Sequence, residues 1–205
     1  VIVDEESQKL IDGFGLGFKK RGQWLAVENL SGDSGMFDPA FEALLPKIRD
    51  FFIKHELPAY HIKQHRGFGR LLAVRKSFSE DKLLVNFLSS SQDLARFPKK
   101  EFTALFTDAL GERLAGLIHT VNDDISDRPK ATEGKQELLL GKDYLTENIL
   151  GLNFKIRMES FFQTNPASAE ILYRKALEYV FEAQVDQKPV VMDLFSGTGT
   201  ISQLL

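Results

Sequence analysis

Apolar positions along this chain follow two spacings that take turns, and their alternation predicts a mixed α+β architecture. Period-two runs at 71–76, 82–88, 116–121, 136–140 and 152–158 predict strands, the first two forming an antiparallel pair across the polar 77–81 segment. Helical spacing of three and four appears in Phe41, Leu44, Leu45, Ile48, Phe51 and Phe52, and again in Phe102, Leu105, Phe106, Ala109 and Leu110. A third helical stripe is Ala169, Leu172, Tyr173, Ala176 and Val180. The last apolar run, Val190 to Phe195, is short and unbroken, which predicts a buried parallel strand.

Punctuation sharpens these boundaries. Asp38-Pro39 and Asn165-Pro166 each combine a capping side chain with a proline whose missing N–H is harmless at the first helical position. Pro46 falls inside the first helical stripe, where it removes a hydrogen bond and clashes with the preceding turn. A first turn separate from a helix over about 45–55 is therefore expected. Arg21-Gly22 predicts a hairpin between strands at 14–20 and 23–27. The stretch 122–134, rich in Asp, Ser, Pro and Gly, predicts an exposed linker and supplies a domain boundary near residue 130. Gly141 to Leu150 is expected to be a connection between strands.

Composition narrows the chemistry. With no cysteine among 205 residues, disulfides, thiolate metal sites and thiol nucleophiles are excluded for these residues, and four histidines in no ligand-like spacing predict no metal. A net charge of −3 argues against gripping nucleic acid with the whole surface. Local basic patches at Lys19, Lys20, Arg21 and at Lys63, His65, Arg66, Arg70, Arg75, Lys76 are the places for RNA contact, and guanidinium matches phosphate best. Arg75 and Lys76 also read as solvated charges at a strand end. The longest apolar runs are too short to cross a bilayer, which points to a soluble, cytoplasmic protein with no membrane partner. Both ends read as cut: the chain opens on Val1 and stops at Leu205, just after a glycine-rich turn.

That turn carries the sharpest chemical signal. Val190 to Asp193 leads into Leu-Phe-Ser-Gly-Thr-Gly-Thr200, a strand ending in a carboxylate and followed by two glycines at a helix entry. Glycines there let backbone approach a ligand at the carboxyl end of a parallel strand. A dinucleotide site would want a third glycine, and a phosphate loop would want a lysine after Gly199; neither is present. A methyl-donor site and a plain packing turn remain open.

Gly151-Leu-Asn-Phe-Lys-Ile-Arg-Met-Glu-Ser-Phe-Phe-Gln-Thr-Asn165, followed one helix later by Asp193-Leu-Phe-Ser-Gly-Thr-Gly-Thr-Ile201, resembles the RNA (uracil-5-)-methyltransferase family. The segments 16–22, 65–75 and 138–147 also resemble that family's central domain. The resemblance implies an α+β central domain over 1–130, and then, over 131–205, the opening of an α/β Rossmann-like domain that binds S-adenosyl-L-methionine (SAM). It further implies a protein that makes 5-methyluridine in ribosomal or transfer RNA.

Carried over by position, the cofactor contacts fall on Gln163, Phe195 and Thr200, with Asp193, Gly197 and Gly199 shaping the turn. An amide such as that of Gln163 both donates and accepts, as a zwitterionic ligand requires, although it also suits a backbone cap. Phe161 and Phe162 read as core. The family's reaction uses a cysteine thiolate that adds to C6 of uracil, so that C5 attacks the methyl group and a base then removes the C5 proton. This chain has no such cysteine, nor the cysteines with which some members hold an iron–sulfur cluster. The expectations are therefore a partial SAM site, no cluster, no catalytic residue here, and no activity from these residues alone. His65 and His119 lack a partner spaced to activate them as bases. The terminal strand, without a parallel neighbour, is expected to be poorly ordered, repacked or paired elsewhere. Other expectations from the same residues are a SAM-dependent enzyme of another substrate and a non-catalytic RNA-binding module.

Overall fold

The computed structural model of the chain describes residues 2–3, 7, 9–11, 13–23, 26–30, 32–125, 136–182 and 190–205. Its centre is a four-stranded mixed sheet in the order β5-β6-β7-β8, made of β5 (Gly69–Ser77), β6 (Lys82–Ser89), β7 (Leu114–Val121) and β8 (Gln136–Gly141). β5 and β6 are antiparallel, β6 and β7 are parallel, and β7 and β8 are antiparallel. A parallel pair needs a crossover, which α3 (Lys99–Leu110) provides. At the amino end lies a small sheet in the order β2-β1-β4-β3, built from β1 (Ile2–Val3), β2 (Leu10–Ile11), β3 (Gly17–Lys19) and β4 (Val27–Asn29).

The predicted hairpin exists with shorter strands and a longer connection. Lys19 pairs with Val27, and between them the Gln23 N–H donates to Lys20 O and the Ala26 N–H donates to Gln23 O. Gly22 supplies the positive φ of +78°. α1 (Pro39–Glu42) and α2 (Leu45–Lys54) are separate helices, and Pro46 lies in the first turn of α2 where its ring clashes with nothing. Asp38 caps α1 by accepting the Phe41 N–H at 3.2 Å.

Two layers flank the central sheet. On one face α2 and α3 cover Leu83, Val85, Phe87 and Leu117 with an aromatic cluster of Phe51, Phe52, Phe68, Phe97, Phe102 and Phe106. On the other, Leu84 and Ile118 meet Leu145 of a two-stranded hairpin, β9 (Tyr144–Ile149) and β10 (Leu152–Arg157). Strand β6 is thus buried on both faces, as its nearly continuous apolar run requires.

Several expectations are corrected. Residues 136–141 hydrogen-bond to β7, so the central sheet continues past residue 130, and the polar stretch joins two neighbouring strands; 126–135 lie outside the described residues. Residues 144–149, expected as connection, form β9. Ala109 and Leu172 are exposed, each at the edge of its apolar stripe. The apolar run 190–194 forms no strand and Val190 is 93% exposed, in line with the expectation for a run without a parallel neighbour: among the described residues no strand takes up its backbone groups.

Candidate functional site

The residues singled out around Gln163 and the glycine turn occupy the carboxyl-terminal part of the fold. α4 (Pro166–Glu182) begins where expected, with the Asn165 side chain accepting the Ser168 N–H at 3.1 Å. Ala169 and Tyr173 on its buried side pack on Ile149 and Phe154 of the hairpin, and Phe162 and Leu204 adjoin the same cluster. Phe162 lies 6.0 Å from Phe154, ring centre to ring centre, so it is core as expected, whereas Phe161 is 73% exposed.

The turn itself is left-handed at three positions, Phe195 (φ +62°), Gly197 (+58°) and Gly199 (+71°). Gly199 N–H closes it onto Ser196 O at 2.7 Å. A short helix, α5 (Thr200–Leu204), follows, and Asp193 reaches across the turn to accept the Ser202 N–H at 3.2 Å. That carboxylate therefore ties the incoming chain to the first turn of the helix.

Thr200 is buried, its hydroxyl shared with Thr198 at 2.9 Å. Burial raises the Tyr173 pKa above its ordinary value, and the Thr200 side chain partly offsets this. Phe195 is fully exposed and Gln163 half-buried. The Gln163 neighbour Phe162 and the helix leaving the turn thus share one apolar cluster, while none of the described hydrogen bonds joins Gln163 to the turn.

These residues fit the amino-acid end of a methyl donor on two counts. A Cβ placed on Gly197 would meet nothing nearer than Phe195 O at 4.0 Å, so one face of the turn is open to a ligand's close approach. The amide of Gln163 is uncommitted to the described hydrogen bonds.

The basic candidates separate into exposed and internally engaged groups. Arg66 is exposed on a loop held from below by Gln92, which donates to His65 O at 3.0 Å and accepts the Gly67 N–H at 3.0 Å. Arg70 stacks 4.3 Å over the Tyr60 ring and donates to Asn122 O and Asp124 O at 2.7 and 2.8 Å. Arg75 is half-buried and donates to Ser160 O, and burial lowers its pKa. Lys76 is no solvated edge charge: it lies 2.8 Å from Asp38 and 3.1 Å from Asp81, both of which also bind Arg113. Burial opposes the charge on Asp38, yet hydrogen bonds from Arg113 and Lys76 outweigh it and hold that carboxyl well below the ordinary range.

His119 is neither a base nor a surface residue. It is buried against Phe87 and Phe97 with Nε2 2.9 Å from Ser89 Oγ, and burial pushes its pKa down to about 4. Glu147 was missed by pattern reading. Its buried carboxylate accepts the N–H groups of Phe78 and Ser79 at 2.7 and 2.9 Å, fastening β9 to the turn between β5 and β6. Among the described residues no group of three or more His, Asp or Glu is placed to hold a metal, and no helix is long and apolar enough to cross a membrane.

No family model matches the chain. It is 37% identical over 191 residues to an uncharacterized RNA methyltransferase of Clostridium acetobutylicum, covering 92% of this chain and 40% of the relative. A similarly named protein of Caldanaerobacter subterraneus is 36% identical over 187 residues, with 91% and 40% covered. Over nearly all of its length the chain is therefore similar to proteins named RNA methyltransferases. It spans about 40% of the length of these relatives. The structure of the Pyrococcus abyssi tRNA (uracil-54, C5)-methyltransferase, solved with S-adenosyl-L-homocysteine, aligns with a TM-score of 0.70 at 22% identity. That alignment covers 94% of this chain and 42% of the other, so the fold is shared over nearly the whole of this chain.

Proposed function

We propose that the chain is part of a SAM-dependent methyltransferase that modifies C5 of a uridine in ribosomal or transfer RNA. The observation that carries this reading is the convergence of the two family-like segments on one cluster: Phe162, next to Gln163, and Leu204, leaving the glycine turn, both pack with Tyr173 and Phe154. Gln163, Phe195, Gly197, Gly199 and Thr200 would hold the cofactor's amino-acid end, with Asp193 fixing the turn. The cofactor supplies an electrophilic methyl group. In the same reading, residues 190–194 open a Rossmann-like sheet, and residues 142 onward lead from the central sheet into that domain.

These residues contain no cysteine. The thiolate that the family's reaction adds to C6 of uracil is then supplied by residues outside this sequence, and the 205 residues alone carry out no transfer. RNA contact belongs to Arg66 and the exposed Lys63 and His65 beside it, since Arg70 and Arg75 already donate to backbone carbonyls.

The test is transfer of labelled methyl from SAM to RNA by the whole protein, with the product nucleoside identified by mass. Recovery of 5-methyluridine is expected. A labelled different base, or labelled protein, would favour another substrate; salt-dependent RNA binding without cofactor binding would favour a binding module. Gln163→Ala should weaken SAM binding roughly tenfold, the effect of about one hydrogen bond to a charged group.

A further inference from the structure

The structure assigns Arg75 a positioning role: from the central sheet, its guanidinium holds the segment that carries Gln163 in place for the methyl donor. This rests on the reading of Gln163 as a cofactor ligand. Arg75 lies near the end of β5, paired with Leu84 of β6, and its acceptor Ser160 lies 85 residues further along the chain. Its Nη2 donates to the carbonyl oxygen of Ser160, three residues before Gln163.

Ser160 closes a tight turn after β10, its N–H bonded to Arg157 O at 3.2 Å and its hydroxyl accepting the Arg157 N–H at 3.3 Å. Two further tethers reach the same turn from the central sheet. Gln136 of β8 donates to Glu159 Oε1 at 3.3 Å, and Met158 packs beside Leu84, Ile118 and Leu145. Beyond the turn, the next anchor is Phe162 on Phe154. Gln163 therefore follows directly on a segment pinned at 158–160 to one layer of the fold and at 162 to another.

Arg75 is the cationic member of these tethers. A half-buried guanidinium has been drawn out of water, and a backbone carbonyl is a strong acceptor that no side-chain substitution at Ser160 removes. Glu159, adjacent to that carbonyl, favours the cation electrostatically. Lysine in the same place keeps the charge and loses the planar fork, so the two substitutions separate charge from geometry.

The experiment compares wild type, Arg75→Met and Arg75→Lys in the whole protein, with SAM binding by calorimetry and steady-state kinetics in both substrates. Loss of the tether is expected to raise the KM and Kd for SAM roughly tenfold in Arg75→Met and less in Arg75→Lys. The kcat, the KM for RNA and the salt dependence of RNA binding stay at wild-type values. Hydrogen exchange at 161–163 should quicken in the cofactor-free Arg75→Met protein while the β6 and β7 amides stay protected, so a general loss of fold is visible as such. Unchanged SAM binding in both variants, or RNA binding that weakens with a flatter salt dependence, would overturn the proposal in favour of a phosphate contact. Should Arg75→Met unfold, Arg75→Lys decides: wild-type SAM affinity in that folded variant counts against the fork geometry. Failure of wild type itself to bind SAM sinks the underlying reading of Gln163, and this role with it.

Discussion

The central sheet and the region around α4 hold apolar sequence of similar quality and treat it in opposite ways. Phe52, Phe68, Phe102 and Phe106 of the first are buried to 2% exposure or less, tilted or edge to face with one another at centroid distances of 5.0 to 6.4 Å. In the second, Ile171 (72%), Tyr179 (62%), Phe181 (66%) and Met192 (78%) stand in solvent, and only Ala169 and Tyr173 of α4 are buried. The difference is one of partners. Around the sheet each apolar stripe meets a second layer, whereas outside Ala169 and Tyr173 the face of α4 meets none among the described residues.

That contrast gives an order of expected effects. Phe102→Ala should do the most damage, because five other phenylalanines, Phe51, Phe52, Phe87, Phe97 and Phe106, surround the ring and the hole cannot collapse. A loss of about 3–5 kcal/mol is expected in denaturant titration, and a loss below about 1 kcal/mol would mean that this core is loosely packed.

The next effect is pH-dependent and also belongs to the sheet. His119 is held neutral, its pKa lowered to about 4 from an ordinary 6.5. The unfolded chain therefore binds the extra proton first as pH falls, so the stabilisation is full above about 6.5 and drains away toward 4. Thermal melts across that window should show the decline, and His119→Gln should flatten it; an unchanged slope would assign the decline to other groups.

The smallest effect is expected on α4. Leu172→Lys, at an exposed position, should shift the stability of the 205-residue chain by no more than about 0.5 kcal/mol. A larger penalty for the same substitution in the longer protein would show that a further element covers this face.

How far the sequence could be read follows the same division. Local chemistry was legible: Asp38-Pro39, Pro46 and Asn165-Pro166 delimit helices through caps and steric exclusion that act within a few residues. β9 was not legible, because Glu147 stands at an inward position between Leu145 and Ile149 and reads as a break in the apolar pattern. Its acceptable burial depends on the N–H groups of Phe78 and Ser79, 69 and 68 residues away. For the candidate site, the sequence selected Gln163 and the glycine turn by resemblance, and the left-handed conformation at Gly197 and Gly199 followed from residue type. Arg75 was read as a surface contact because its carbonyl partner lies 85 residues along the chain.

By itself, then, the sequence determined where helices and most strands form and where the turn is, since propensity, capping and glycine geometry are properties of neighbouring residues. The tertiary structure alone decided that β8 joins β7 past the polar stretch, that Glu147, His119 and Arg75 are built into the fold, and that the face of α4 stays open. Each of these depends on whether a distant backbone group or apolar surface arrives to meet the residue, and no local pattern encodes that arrival.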